Sequence, residues 1–377
     1  MSPTRRALRL QSTLALLFAA VCAIGAGTGA WGSEGGTTTS AAPRTGHVGD
    51  AVGGPVGGGT PGDRWTADYT PEQFAAYSQE LDGHYIGVGL WLARSPQGSV
   101  SVTRTLAGSP AARAGLAAGD RLLAVDGTRV DGRPVTQVVA LLRGGAGGRV
   151  GSAVTLLLQR GSRQWQVELR RAVLDEDDVH VDHPEAGVTR ISLDAFTVGV
   201  SEQVQAAVRQ AVLHPDRGGR GILLDLRGNS GGLVSEAVAT ASVFLDGGPV
   251  ARYLPANGPE QTLTAAPHGD TVTPLVVLVD GGTMSAAELV TGALRDRGRA
   301  VVVGGPTFGK GAVQEPQALS DGVVQEHTVG HYLTPSGTSP DGQGIQPDIP
   351  VPASASAQTA ENTALTVLDD LSGGDGQ

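Results

Sequence analysis

Two residues 25 positions apart have the chemistry for a covalent reaction: Ser285, within Thr283-Met284-Ser285-Ala286-Ala287-Glu288, and Lys310, within Thr307-Phe308-Gly309-Lys310-Gly311. Lys310 is the one lysine of the chain. A coding bias towards arginine explains why lysine is rare here, but not why this one is kept. Arginine stays protonated in any protein environment, whereas a lysine enclosed away from water loses proton affinity and can act as a base. A neutral amine within reach of a serine hydroxyl can take its proton, the Ser–Lys form of the nucleophile-and-base arrangement. Gln314 follows Lys310 by four residues, and its amide oxygen could accept from the amine and orient it.

Ser285 precedes Leu289, Val290, Ala293 and Leu294 at helical spacing, which puts it at a helix N-terminus. Free N–H groups and the helix dipole there suit a developing oxyanion, with the Ala286 N–H as one donor. Taken alone, Ser285-x-x-Glu288 is first of all a capping box. A second oxyanion donor is expected from Gly231 or Gly232, at the end of Asp225-Leu226-Arg227-Gly228-Asn229-Ser230-Gly231-Gly232, where paired glycines allow a close backbone approach. The run Gly304-x-x-x-x-Gly309-Lys310 also matches most of a phosphate-binding loop, but Gly311 stands where a hydroxyl should reach magnesium. His180-x-x-His183 lacks the spacing and glutamate of a zinc-protease helix, so neither a metal nor a cofactor is expected.

These residues need a scaffold that brings distant loops together. Residues 221–226, 274–279 and 300–303 read as buried apolar strands, and 200–213, 233–245 and 285–297 as helices between them. That alternation predicts βαβ crossovers and a mostly parallel sheet, with the Ser285 and Lys310 loops leaving one edge from neighbouring strands. Between 84 and 172 short β-branched runs alternate with turns and two short helices, which predicts a small, partly open barrel. Residues 63–83 read as an N-terminal helical segment opened by Thr70-Pro71, 173–353 as the α/β core, and 354–377 as a flexible tail.

Residues 1–32 read as an export signal or N-terminal anchor: Arg5, Arg6 and Arg9, then an apolar run over 14–26 that is short for a membrane span. The Gly/Ser/Thr/Pro composition of 33–62 cannot bury enough surface to fold, which predicts a linker. The single cysteine, Cys22, falls in the apolar run, so disulfides contribute nothing once that run is removed. An exported location, extracellular or in the cell envelope, follows, and residues 10–31 are where a membrane association would reside. A net charge of −10 and a pI near 5.2 argue against nucleic acid as a partner. Homo-oligomerisation stays open.

Together, Thr283 to Glu288, Thr307 to Gly311 with Val313-Gln314, and Asp225 to Gly232 resemble the carboxyl-terminal processing peptidases, or tail-specific proteases, of the S41 family. So do Tyr332-Leu333-Thr334-Pro335-Ser336-Gly337 and Gly344-Ile345-Gln346-Pro347-Asp348. The family's serine motif usually reads Ser-Ala-Ser-Ala-Ser-Glu. Here Thr283, Met284 and Ala287 depart from it without removing the nucleophile, Met284 beside the nearest substrate pocket. The resemblance implies a ClpP/crotonase-like α/β core with Ser285 as nucleophile, Lys310 as base and Gln314 as third residue. It also implies an inserted PDZ domain over 84–172, carried by Gly108-Ser109-Pro110-Ala111-x-x-Ala114-Gly115-Leu116-x-x-Gly119-Asp120. There Tyr85, Ile86, Gly87, Val88 and Gly89 match the loop that grips a substrate's terminal carboxylate. The implied partners are proteins or peptides with accessible C-termini, and the implied activity is that of a serine endopeptidase.

Overall fold

The structure is a computed structural model, and it describes residues 63–373 apart from 96, 145–147, 176–177, 215–218 and 321. The export signal and linker expected over 1–62 lie outside the described residues, as do 374–377. Among the described residues no helix is long and apolar enough to cross a membrane.

The core is a six-stranded sheet ordered Val179–Asp182, Val188–Leu193, Gly221–Asp225, Leu275–Val279, Val301–Gly304 and Ile349–Pro350. All neighbours are parallel except the first pair. Gly221–Asp225 and Leu275–Val279 are apolar at nearly every position because both faces are covered. Ile222, Leu224, Leu275 and Val277 point into the larger cluster, with helices Val200–Leu213, Val234–Phe244 and Ala286–Asp296. Leu223, Val276 and Leu278 alternate to the opposite face and meet Ala360, Ala364, Leu365 and Leu368.

Those last four residues belong to a helix, Ala357–Gly373, where the sequence predicts a flexible tail. The reason is the sheet itself: an apolar second face has to be buried, and the spacing of these four puts them on one helical stripe. Ion pairs reinforce the docking, with Arg190 and Arg227 at Glu361 and Arg220 at Asp369.

A second, antiparallel sheet packs on the core. Its path runs Ala67–Tyr69, Val324–Leu333, Pro249–Pro255 and Gln261–Thr264, with Ala312–Ala318 also paired to the long Val324–Leu333 strand. The 63–83 segment is therefore not all helix: a short strand precedes the helix Pro71–Leu81, whose Thr70 and Gln73 form a capping box.

The segment expected to be a PDZ domain is an open antiparallel sheet, with Leu90–Arg94 and Arg163–Arg170 at its edges and helix Val135–Arg143 packed on its own apolar cluster. His84–Gly87 pairs with Ala172–Asp175 as a separate two-stranded sheet at the two ends of this segment.

Candidate active site

Three loops leave the carboxyl edge of the parallel sheet, after Asp225, Val279 and Gly304. The first two are tied by Asp280, whose Oδ1 accepts the N–H groups of Gly228 at 2.9 Å and Gly282 at 2.8 Å. Thr283 Oγ1 donates to Leu226 O at 2.8 Å, and the Met284 N–H to Asn229 O at 2.9 Å.

Ser285 stands just before helix Ala286–Asp296 with φ 56° and ψ −115°, a left-handed backbone that a serine adopts at about 1–3 kcal/mol. Its peptide is held on both sides, the N–H by Glu288 Oε2 at 2.9 Å and the carbonyl by the Tyr332 hydroxyl at 3.0 Å. The Ser285 side chain is 0% exposed, and Oγ has no hydrogen-bond partner among the described residues. The capping reading is thus half right. Glu288 reaches back to the Ser285 N–H, but the hydroxyl is left out of the cap.

Glu288 also does what its spacing does not announce. Oε2 accepts the Lys310 N–H at 2.8 Å, and Oε1 accepts the Gly309 N–H at 2.7 Å and the Thr307 hydroxyl. The serine turn and the lysine loop share one carboxylate oxygen, and hydrogen bonds to a charged group contribute about 1.5–3 kcal/mol each. Burial pushes the Glu288 carboxyl up from its ordinary range, against the pull of these four donors.

Lys310 is likewise 0% exposed, with Nζ 5.7 Å from the centre of the Trp65 ring. That ring lies 5.9 Å from the Phe308 ring, and its Nε1 donates to Asp341 at 3.1 Å. Gln314 is fully buried at the start of the antiparallel sheet. Its Nε2 donates to the Trp65 carbonyl, which fixes the amide so that Oε1 is the acceptor. Oε1 has no hydrogen-bond partner among the described residues, so the orienting bond to Lys310 expected from sequence is not made in this conformation.

The expected second oxyanion donor is narrowed. The Gly231 N–H is committed to Asn229 Oδ1 at 2.9 Å, while Asn229 Nδ2 anchors to Leu193 O at 2.9 Å. Gly231 instead supplies close approach, since a Cβ there would lie 3.0 Å from Ser285 Cβ and 3.3 Å from Ala286 N. Gly232 is outside that bond to Asn229, and its bridge to Phe196 uses the neighbouring Gly231 carbonyl and Leu233 N–H. Met284 is buried.

Of the expected carboxylate-gripping loop, Tyr85, Ile86 and Gly87 are strand residues paired to Leu174, Val173 and Ala172, so the turn proper is Val88-Gly89. Their carbonyls accept from Ala111 N and Leu106 N, and Gly89 (φ +77°) leaves no room for a side chain beside Ser109. Trp65, Asn229, Asp280 and the second role of Glu288 escape sequence reasoning. Only Glu288 carried a signal, its position three residues after Ser285.

A hydroxyl without a partner among the described residues, on a strained turn stapled to the loop of an enclosed amine, is the arrangement that the resemblance to the S41 peptidases implies. Residues 187–351 match the profile of peptidase family S41, and residues 101–160 match a PDZ domain. Over 289 residues the chain is 31% identical to a protein of Staphylococcus haemolyticus named as a CtpA-like serine protease, covering 76% of this chain and 56% of that one. The solved photosystem II D1 C-terminal processing protease is 31% identical, over 81% of this chain and 82% of its own, with a TM-score of 0.47. A solved S41 protease candidate from Bacteroides fragilis is 18% identical, over 84% and 93%, with a TM-score of 0.51. This chain belongs to peptidase family S41, and it spans somewhat more than half the length of the curated relatives it matches.

Proposed function

We propose that the chain is an exported serine endopeptidase with a Ser285–Lys310 centre, and that its PDZ unit selects substrates by their C-terminal tails. Ser285 Oγ attacks the scissile carbonyl and Lys310 Nζ takes its proton. The Ala286 N–H and the Gly232 N–H receive the oxyanion, and Lys310 returns the proton to the leaving amine. Gln314 Oε1 accepts from the amine once substrate closes the site. The observation that carries this reading is the shared Glu288 oxygen, which holds the nucleophile's turn and the base's loop two hydrogen bonds apart.

Tail recognition rests on the Leu90–Arg94 strand. Among the described residues it pairs only with Val100–Thr105, so its other edge, beside helix Val135–Arg143, is open to an added peptide strand. The Val88-Gly89 turn opens that strand, where a terminal carboxylate would sit. Export follows from the basic, then apolar, start of the sequence.

The test is cleavage of an unfolded polypeptide carrying an apolar C-terminus, against the same chain with its terminus amidated. The wild type should cut the first faster, and Ser285→Ala should cut neither. Cleavage by the alanine variant would refute the assignment.

A further inference from the structure

Glu326 is a buried carboxylate that the Ser285, Lys310 and Gln314 set leaves without a role. It lies on the Val324–Leu333 strand, is 1% exposed, and its Oε2 has no hydrogen-bond partner among the described residues. Across the sheet it stands opposite Ala67 on one side and Pro316 on the other, while Gln314 stands opposite Thr328. Residues directly opposite, and those two apart along a strand, share a face, so Glu326 and Gln314 face the same way. Trp65, two residues before Ala67, accepts from Gln314 at its carbonyl and brings its ring to Lys310. This face of the sheet therefore closes over the amine. Burial pushes the Glu326 carboxyl up to about 7 while the positive charge of Lys310 pulls it down, so the two groups sense each other across the enclosed space.

We propose that Glu326 is the charge partner of Lys310, a positioning residue that stabilises the ammonium formed whenever the amine takes the Ser285 proton. This deepens the peptidase reading and rests on it. The proton count balances without a further reactant. Nζ gains the proton as the Ser285 Oγ–carbon bond forms and gives it to the leaving nitrogen as the carbon–nitrogen bond breaks. Nζ then takes a proton from the water whose oxygen bonds to the acyl carbon, and returns it to Oγ as the carbon–Oγ bond breaks. Glu326 supplies field, not protons, the part an aspartate plays beside a catalytic histidine.

Other ionisable groups lie near the pair, on both faces of the sheet. Tyr69 lies on the neighbouring short strand, and both burial and Glu326 raise its hydroxyl. His327 follows on the same strand opposite Glu315, and Asp68 stands opposite Gln325. Asp63 holds Thr328, and Glu288 and Asp341 hold backbone N–H groups of the lysine loop. Of these carboxylates, Glu326 is the one that is buried with an oxygen lacking a partner among the described residues.

A single lysine makes the test direct, because protein grown on ε-13C lysine gives one lysine signal. In Glu326→Gln the titration midpoint of that signal should fall by about one pH unit, a tenfold loss of proton affinity, and the acid limb of kcat/KM should move with it. Glu326→Asp should restore both in part. If Glu326→Gln does not fold, the wild-type signal itself should show two inflections, one of them where Glu326 ionises. A midpoint unmoved in a folded Glu326→Gln, or a single-step wild-type curve, overturns the proposal. The signal is read without substrate. A protein that cleaves nothing would therefore sink the peptidase reading and leave the charge pair to be judged by its own titration.

Discussion

In the PDZ unit, Gly115 (φ +75°) and Gly127 (φ +76°) close turns into open space, and a side chain at either would meet nothing within 4 Å. In the catalytic core, Gly231 (φ +103°) and Gly304 (φ +136°) have the same backbone freedom, but other loops press on them. A Cβ at Gly231 would crowd Ser285, and one at Gly304 would overlap the Val279 carbonyl. The polar groups divide in the same way. The core completely buries Ser285, Glu288, Lys310, Gln314 and Asn229, whereas the PDZ strand Arg163–Arg170 shows most of its side chains to water. On the proposed function, one region presents an edge and the other holds reacting groups dry. Desolvation strengthens every electrostatic term at the second and leaves the first adaptable.

Substitutions in the two regions should therefore differ in kind. Removing the nucleophile with Ser285→Ala should lower kcat/KM by at least about a thousandfold with the melting temperature unchanged. Lys310→Arg should lower it by roughly a hundredfold to a thousandfold, because a guanidinium cannot release its proton, and steady-state kinetics at constant pH would read this. Gly231→Ala should cost about a hundredfold in kcat, since it displaces Ser285 by a fraction of an ångström and strains its own backbone. Gly115→Ala meets only the backbone penalty, about 1–2 kcal/mol of stability by denaturant melting, with kcat unchanged. If Gly231→Ala behaved like Gly115→Ala, the contrast between the regions would collapse. The smallest effect is on pH. Because the amine must be uncharged to act, kcat/KM should fall as pH drops, and a flat profile from about pH 5 to 9 would contradict the role of Lys310.

The parallel sheet was legible because its strands are apolar at consecutive positions, a signal that only burial on both faces explains. Ser285 and Lys310 were legible because an unusual residue stood beside each strand end. The antiparallel sheet was not. Val324–Leu333 carries Gln325, Glu326, His327 and His331, with no clean alternation, since its neighbours include the polar site itself. Trp65 was invisible because its value lies in a contact 249 residues away, with Gln314. The C-terminal helix was missed because four buried apolar residues sit in a polar stretch. The apolar second face of the sheet, which demands a cover, was the better clue.

The central claim is that Lys310 activates Ser285. Treating the wild type, Ser285→Ala and Lys310→Arg with a fluorophosphonate and locating the adduct by peptide mass spectrometry tests it most directly. The account predicts an adduct on Ser285 in the wild type, none in Ser285→Ala, and labelling slowed at least about a hundredfold in Lys310→Arg. An adduct on another residue, or equal labelling rates in the wild type and Lys310→Arg, would contradict it.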